Sequence, residues 1–265
     1  MDSSPQSEND RCAEGRVAPK GARGNGMRRV ASSLLLVLVV LFQSPVQAEN
    51  SPEGQGAPNH VETYRYQAVP TGRERDTEQI TMVLSFKDDA IGFTSTSVSE
   101  KEKEEVALKM TGKGDLTSGT RGLFNSSGRV TKARIWRDGT KVYTRRGKKT
   151  TSASIPKGAI LAIKGSLLVL LRSFPYGTTD QWNLLMIEFS GKSISATVRQ
   201  TGTERISVPA GEFLCYRVEV RFRVLIVNPV VLCWVAVENP RIVVKSVGKR
   251  GLFTPTYVTT LLEKG

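Results

Sequence analysis

The chain has 265 residues, 39% of them hydrophobic, with 38 basic against 25 acidic side chains and a formal net charge of +13. That length allows one large domain or two small ones, and the apolar content suits a folded core but not a protein crossing a membrane many times. With one histidine, His60, and three cysteines, Cys12, Cys215 and Cys233, the composition gives no support for a histidine-rich metal site, a four-cysteine zinc site or a haem-attachment motif.

Residues 1–26 mix Ser, Gly, Arg, Pro and acidic residues without periodicity. They read as disordered, or as an extension mistakenly begun at Met1 ahead of a true start at Met27. Residues 27–48 then reproduce the parts of a secretory signal: Arg28-Arg29, an uncharged run over 30–42, and Gln-Ser-Pro-Val-Gln-Ala. Val46 and Ala48 occupy the −3 and −1 positions for cleavage before Glu49. The run is 13 residues long, whereas a spanning helix needs about 20, so cleavage is expected rather than anchoring. Val30-Ala31 does not continue a twin-arginine motif, and no cysteine lies near the cut to carry a lipid. The expected destination is the bacterial periplasm. Removing residues 1–48 discards Cys12 and leaves a net charge of +11. In that compartment such charge points to anionic lipid or an envelope polymer, with peripheral membrane association, and not to nucleic acid.

Residues 49–60 are rich in Pro, Gly, Asn and Ser and read as a flexible leader that includes His60. A single β-rich domain is expected over 61–264. Ile80, Met82, Leu84 and Phe86 alternate with polar residues, as do Ile194, Ala196 and Val198. Along 214–226, Leu214, Tyr216, Val218, Val220 and Phe222 alternate with Cys215, Arg217, Glu219, Arg221 and Arg223. This period of two predicts strands with one face on a core and one in water, the habit of antiparallel sheets. Asn125-Ser126-Ser127-Gly128, Asp138-Gly139, Ser190-Gly191 and Pro209-Ala210-Gly211 supply the turns, with Asp138-Gly139 the strongest hairpin signal. One helix is predicted over 159–173, where Leu161, Leu168 and Leu171 fall near one face and Phe174-Pro175 stops it. Residues 222–237 are almost wholly apolar after Arg223, interrupted only by Asn228-Pro229, which reads as a tight turn between two strands. A hairpin buried in the core is the favoured reading there, against an exposed apolar edge that meets lipid or a partner.

Catalytic chemistry finds little footing. His60 in a leader cannot serve a Ser-His-Asp triad, and no Gly-x-Ser-x-Gly elbow or phosphate-cradling Gly-rich loop occurs. Ser154 and Lys157 match Ser-x-x-Lys, but Pro156 keeps them off one helical turn and no Lys-Thr-Gly follows. Asp88-Asp89 and the run 100–105 read as a turn and a self-compensating solvated stretch. Export would make a disulfide between Cys215 and Cys233 chemically allowed. A hairpin turning at Asn228-Pro229 instead sets Cys215 against residue 242 and Cys233 against residue 224, which weighs against the bond.

The C-terminal half carries a longer pattern: LLVLLRSFPY over 167–176, TERISVPAGEFLCYRVEV over 203–220, Trp234, PRIVVKSVGKRG over 240–251 and YVTTLLE over 257–263. It resembles DUF 3108, a bacterial family of exported domains of unknown function, most closely over 160–264. Pro209, Ala210, Gly211, Phe213 and Trp234 are its most specific parts. The resemblance implies an all-β curved sheet or partly open barrel in the periplasm, with no cofactor and no established catalytic residue.

These readings converge on a mainly β domain, an antiparallel curved sheet or partly open β-barrel with one helix. The expected function is a non-enzymatic periplasmic protein that binds a lipid or another hydrophobic anionic ligand in envelope maintenance. Trp136, Phe174, Trp182, Phe213 and Trp234 are the candidate lining residues. An interaction module of the envelope presenting a sheet edge is the alternative, and a hydrolase of envelope polymers a further one.

Overall fold

The computed structural model describes residues 59–265 apart from 129, 164, 178–180, 225–227 and 251–253. The signal-like segment, its cleavage site at Ala48 and Glu49, Cys12 and the leader up to residue 58 lie outside the described residues.

Short turns carry the first eight strands: β1 (His60–Pro70), β2 (Glu78–Lys87), β3 (Ala90–Val98), β4 (Glu102–Thr111), β5 (Leu116–Asn125), β6 (Val130–Asp138), β7 (Lys141–Arg146) and β8 (Lys149–Ser154). After β9 (Ile160–Ala162) comes a four-residue helix, α1 (Leu167–Leu170), continued by one 3-10 turn, Leu171–Ser173. Then follow β10 (Trp182–Ile187), β11 (Ser193–Val208), β12 (Gly211–Arg223), β13 (Val230–Ala236), β14 (Val243–Lys249) and β15 (Thr256–Lys264). All fifteen join one curved, open sheet in the order β8-β7-β6-β5-β4-β3-β2-β1-β15-β14-β13-β12-β11-β10-β9. Neighbours are antiparallel except β9 and β10, which run parallel. Consecutive strands pair because their turns are short, as at Asp138-Gly139, where Gly139 has φ +55°.

Two apolar clusters divide this sheet. In the first, Tyr66, Leu84, Phe93, Leu108, Ile135 and Val142 from β1–β7 meet one face of β9, β10 and β12–β15. In the second, Leu184, Val198, Val218, Val235 and Val243 on the opposite face of that half meet Leu167, Leu170, Leu171 and Phe174. The alternation read in β2 and β11 holds, since Met82, Leu84, Ala196 and Val198 are buried. In β12 it fails at the start, where Cys215, expected in water, is wholly buried and Leu214, expected on the core, is exposed, because the first cluster covers the other face of that strand's beginning. The same two-sided burial explains the apolar run over 222–237: β13 alternates Leu232 and Trp234 into the first cluster with Cys233 and Val235 into the second.

Two predicted elements differ. Helix over 159–173 gives way to β9, a break at Gly165 and the short α1. Ile160–Ala162 instead forms a ladder with Leu184, Leu185 and Met186. A segment buried on every side carries no helical periodicity to read, so its leucines did not distinguish strand from helix. Asn228-Pro229 is not a tight turn: the last ladder pair is Arg221 with Val230, and the connection between them includes residues 225–227 outside the described set. The register therefore sets Cys215 opposite Ala236 and Cys233 opposite Val218. The two thiols enter different clusters and are free. Burial pushes the Cys215 thiol up to about 11, with Glu204 adding to it, and the Cys233 thiol up to about 12. Thiolate is scarce at neutral pH in both, so an alkylating reagent should label them only after unfolding, and peptide mass mapping reads this directly.

Curvature carries the second half of the sheet back onto the first. The Leu161 amide donates to Asp115 Oδ1 at 2.9 Å. Gly191, in the β10–β11 turn with φ +89°, sits so close to β8 that a Cβ there would lie 2.0 Å from Thr151 Oγ1. Gly139 has the same left-handed backbone but open space around it. Gly139→Ala should cost only the backbone strain, about 1–2 kcal/mol. Gly191→Ala adds a collision with Thr151 and should cost about 2–5 kcal/mol, read from urea melts of both variants.

Candidate functional site

The five aromatic candidates do not line one site. Phe174 is fully buried and Trp182 half-buried in the second cluster, their rings in edge contact at 5.1 Å. Trp234 is buried in the first cluster with its indole N–H donating to Glu204 Oε1 at 2.5 Å, and Phe213 packs at that cluster's margin. Trp136 alone belongs to neither, because Ile135 beside it takes the inward position of β6. The residues that carry the family resemblance are structural: Pro209 and Ala210 make the β11–β12 turn, and Gly211 adopts φ +127°. Packing and turn geometry account for four of the five aromatics.

The outer surface of β6 and β7 holds the charge. Between Val130 and Ser154 the chain has eight basic residues and one acidic one, a local net of +7. Ala133, Ile135, Val142 and Thr144 point inward, which turns Lys132, Arg134, Trp136, Lys141, Tyr143 and Arg145 outward. Trp136 and Tyr143 face each other across the ladder with stacked rings 5.4 Å apart, and the Arg134 guanidinium stands 5.8 Å from the indole. Arg134 pairs directly opposite Arg145. Like charges in that position destabilise a sheet. Among these eight cations only Arg137 has a carboxylate partner in the described residues, Asp115. A whole-chain net charge concealed this concentration, although counting charges in a short window over 130–154 would have exposed it.

Two shallow hollows also mark the surface. One, of about 460 Å³, lies over β11 and β12 and exposes Arg199, Arg221 and Arg223 with Glu219, which accepts from Arg221 at 2.6 and 2.9 Å. The other, of about 480 Å³, lies where β1 begins and is bounded by His60, Glu62, Arg172, Ser173, Asn239, Pro240 and Arg241. His60 is thus no leader residue: it opens β1, stacks on Phe86 at 4.3 Å and contacts Glu62 Oε1 at 3.2 Å. The Glu62 carboxylate also accepts from the Tyr64 hydroxyl at 2.7 Å and from both terminal nitrogens of Arg172, one of them at 3.1 Å. Burial and the Glu62 charge hold the Tyr64 phenol well above its ordinary value, so it remains a donor.

Ser154 and Lys157 are both exposed, with no hydrogen bond between them. The run over 100–105 compensates itself only in the pair Lys103–Glu105; Lys101 pairs instead with Asp76 and Glu104 with Arg121, both outside the run. Among the described residues no three His, Cys, Asp or Glu side chains converge as a metal site would.

No protein-family model matches the chain, and no curated protein matches it. The chain is similar in structure to a β-barrel-like protein of a domain of unknown function, DUF 1849, from Brucella abortus. That likeness has a TM-score of 0.52 and 10% identity over 78% of this chain and 97% of that one. A DUF 1089 family protein from Pseudomonas aeruginosa is 16% identical over 66% of this chain and 91% of its own, with a TM-score of 0.35. The first likeness establishes a β-barrel-like fold; membership of DUF 3108 is matched by no family model.

Burial alone would raise the Glu62 pKa, but Arg172, Tyr64 and His60 outweigh it and hold the carboxyl at about 2 against an ordinary 4.5. A depressed folded pKa contributes stability that is complete above the unfolded value and is lost as pH falls through the folded one. Glu62→Gln should therefore destabilise the protein at pH 7 by about 2–3 kcal/mol. In urea melts the gap between the two proteins should hold down to about pH 4.5 and close toward pH 2.

Proposed function

We propose that this protein is a non-enzymatic binding protein of the bacterial envelope that docks on anionic lipid surfaces through the outer face of β6 and β7. The observation that carries the reading is the unneutralised charge of that face, above all Arg134 set directly against Arg145. A sheet gains nothing in stability from that pairing, whereas an anionic surface would turn the repulsion into attraction. Trp136 and Tyr143 at the centre of the face suit the headgroup region, where amphipathic rings favour the boundary between water and hydrocarbon. The signal-like segment over 27–48 supports an exported location, and the resemblance to DUF 3108 agrees with it. Export also removes nucleic acid as the natural partner for a basic face.

The reading alters the ligand chemistry inferred from composition. Phe174, Trp182, Phe213 and Trp234 serve the packed clusters, so an acyl chain is not given a pocket by these residues. The recognised part of a lipid is then its headgroup, met at the protein surface. Of the five aromatics, Trp136 keeps a role in binding.

Vesicles of phosphatidylcholine with and without 30 mol% phosphatidylglycerol test the proposal by cosedimentation. The protein should bind only the anionic vesicles and be released as salt rises. Each cation near such a surface contributes about 1 kcal/mol, so Arg134→Gln combined with Arg145→Gln should weaken binding about 30-fold. The double variant should be no less stable than the parent, since it relieves a repulsion. Equal binding to both vesicles, or unchanged binding by the double variant, overturns the reading.

A further inference from the structure

The hollow at the start of β1 has an unusual balance of charge. Glu62 is the single carboxylate among the described residues of its wall, and its oxygens are already engaged: Oε1 by His60 and Arg172, Oε2 by Tyr64 and Arg172. That bidentate pairing neutralises Arg172 and leaves Glu62 unable to serve a second cation. Arg241, across the hollow, has neutral partners. Its Nη1 donates to the Phe174 carbonyl at 3.3 Å, and its guanidinium stands 5.1 Å from the Tyr176 ring and 5.9 Å from the Tyr216 ring. Those two rings are themselves stacked at 4.1 Å, so the platform beneath the guanidinium is rigid. The Nε atom is buried without an acceptor.

A half-buried cation held by carbonyl and ring faces is positioned but not neutralised, and a charge withdrawn from water calls for a counter-charge. No carboxylate among the described residues forms an ion pair with Arg241, unlike Arg172 with Glu62 or Arg250 with Glu78. Donor-bearing residues from separate segments border the same space: Ser173 after α1, Asn239 and Arg241 between β13 and β14, and Arg172. At about 480 Å³ and open on one side, the hollow accommodates a phosphate group together with the start of an ester substituent.

We infer that this hollow is a binding site for a phosphate group, with Arg241 supplying the principal charge and Ser173 and Asn239 the flanking donors. A guanidinium flanked by the donor-bearing Ser173 and Asn239 suits an anion with several acceptor oxygens, as a phosphate group has. A free phosphate ion and the phosphate of a lipid headgroup share this chemistry. The site is separate from the β6–β7 face, and the two proposals fail independently.

The chain's lone histidine makes the test direct, since the His60 ring protons give an NMR signal from the wall of the hollow that no other residue can mimic. The full chain is titrated at constant ionic strength with inorganic phosphate, and separately with dihexanoylphosphatidylglycerol below its micelle concentration. At least one probe should shift the His60 signals saturably. Arg241→Gln should weaken that binding tenfold or more, and Ser173→Ala, an exposed change that leaves the fold intact, several-fold. Arg199→Gln, in the other hollow, should leave it unchanged. Tighter binding of the lipid identifies a headgroup as the source; equal binding identifies the free ion. The proposal is overturned if neither probe saturates, or if binding survives Ser173→Ala and Arg241→Gln unaltered. It is equally overturned if Arg199→Gln weakens binding as much as they do. Should Arg241→Gln fail to fold, the Ser173→Ala result decides alone.

Discussion

Alternate side chains of β13 enter different cores, with Leu232, Trp234 and Ala236 on one side of the sheet and Val231, Cys233 and Val235 on the other. β9, β10, β12 and β14 divide their residues in the same way. A strand so placed can spare few positions for charge, so these segments read as apolar runs and not as alternating ones. The second face also needs a cover. It is supplied by Leu167, Leu170, Leu171, Phe174 and Tyr176, which explains why the chain leaves its hairpin pattern after β8 and returns to the sheet through the parallel pairing of β9 with β10. The Glu62–Arg172 pair, 110 residues apart in sequence, fastens that covering segment to β1. Cover, crossover and ion pair all answer the demand set by two-sided burial.

The first half of the sheet works under a looser constraint. β1–β7 bury one face, and their outer residues are free of packing duties. Only there can Arg134 and Arg145 stand opposed without a neutralising carboxylate. Their repulsion costs a fraction of a kcal/mol to about 1 kcal/mol, small beside the burial of Ile135 and Val142 behind them. The stability of the inward face thus tolerates an opposed arginine pair on the outward face that adds nothing to it.

How much of this was legible in the sequence follows from the same division. Where one face is wet the period of two is clean, and β2 and the start of β11 were read correctly from Ile80–Phe86 and Ile194–Val198. Where both faces are dry the pattern vanishes. The leucines after Ala159 then suggest a helix, the Asn228-Pro229 pair suggests a turn, and the alternation of β12 turns Cys215 toward water. The burial of 222–237 was readable because a hydrophobic run carries that information without any register. The candidate sites were less legible. The contact of His60 and Glu62 with Arg172 is a long-range juxtaposition with no local signal, and Arg241 is unremarkable until its neutral neighbours are known. The charge of 130–154 lay in plain sight but was averaged into the whole.

That averaging matters physically. Residues 49–265 carry a net +11, of which 130–154 hold +7, leaving +4 for everything else. Ions screen surface charge over about 8 Å at physiological salt, so a partner feels the face it meets and not the molecule's total. A uniformly basic protein would meet an anionic surface in any orientation. On the proposed docking, this one would gain most of its attraction in a single orientation, with β6 and β7 against the surface and Trp136 and Tyr143 at the contact. The strands that carry those residues are rigid elements of a continuous ladder, so no ordering is needed when contact is made. A surface patch of modest area can then give a defined orientation, and a defined orientation would let the proposed second site on the same molecule be presented consistently to that surface.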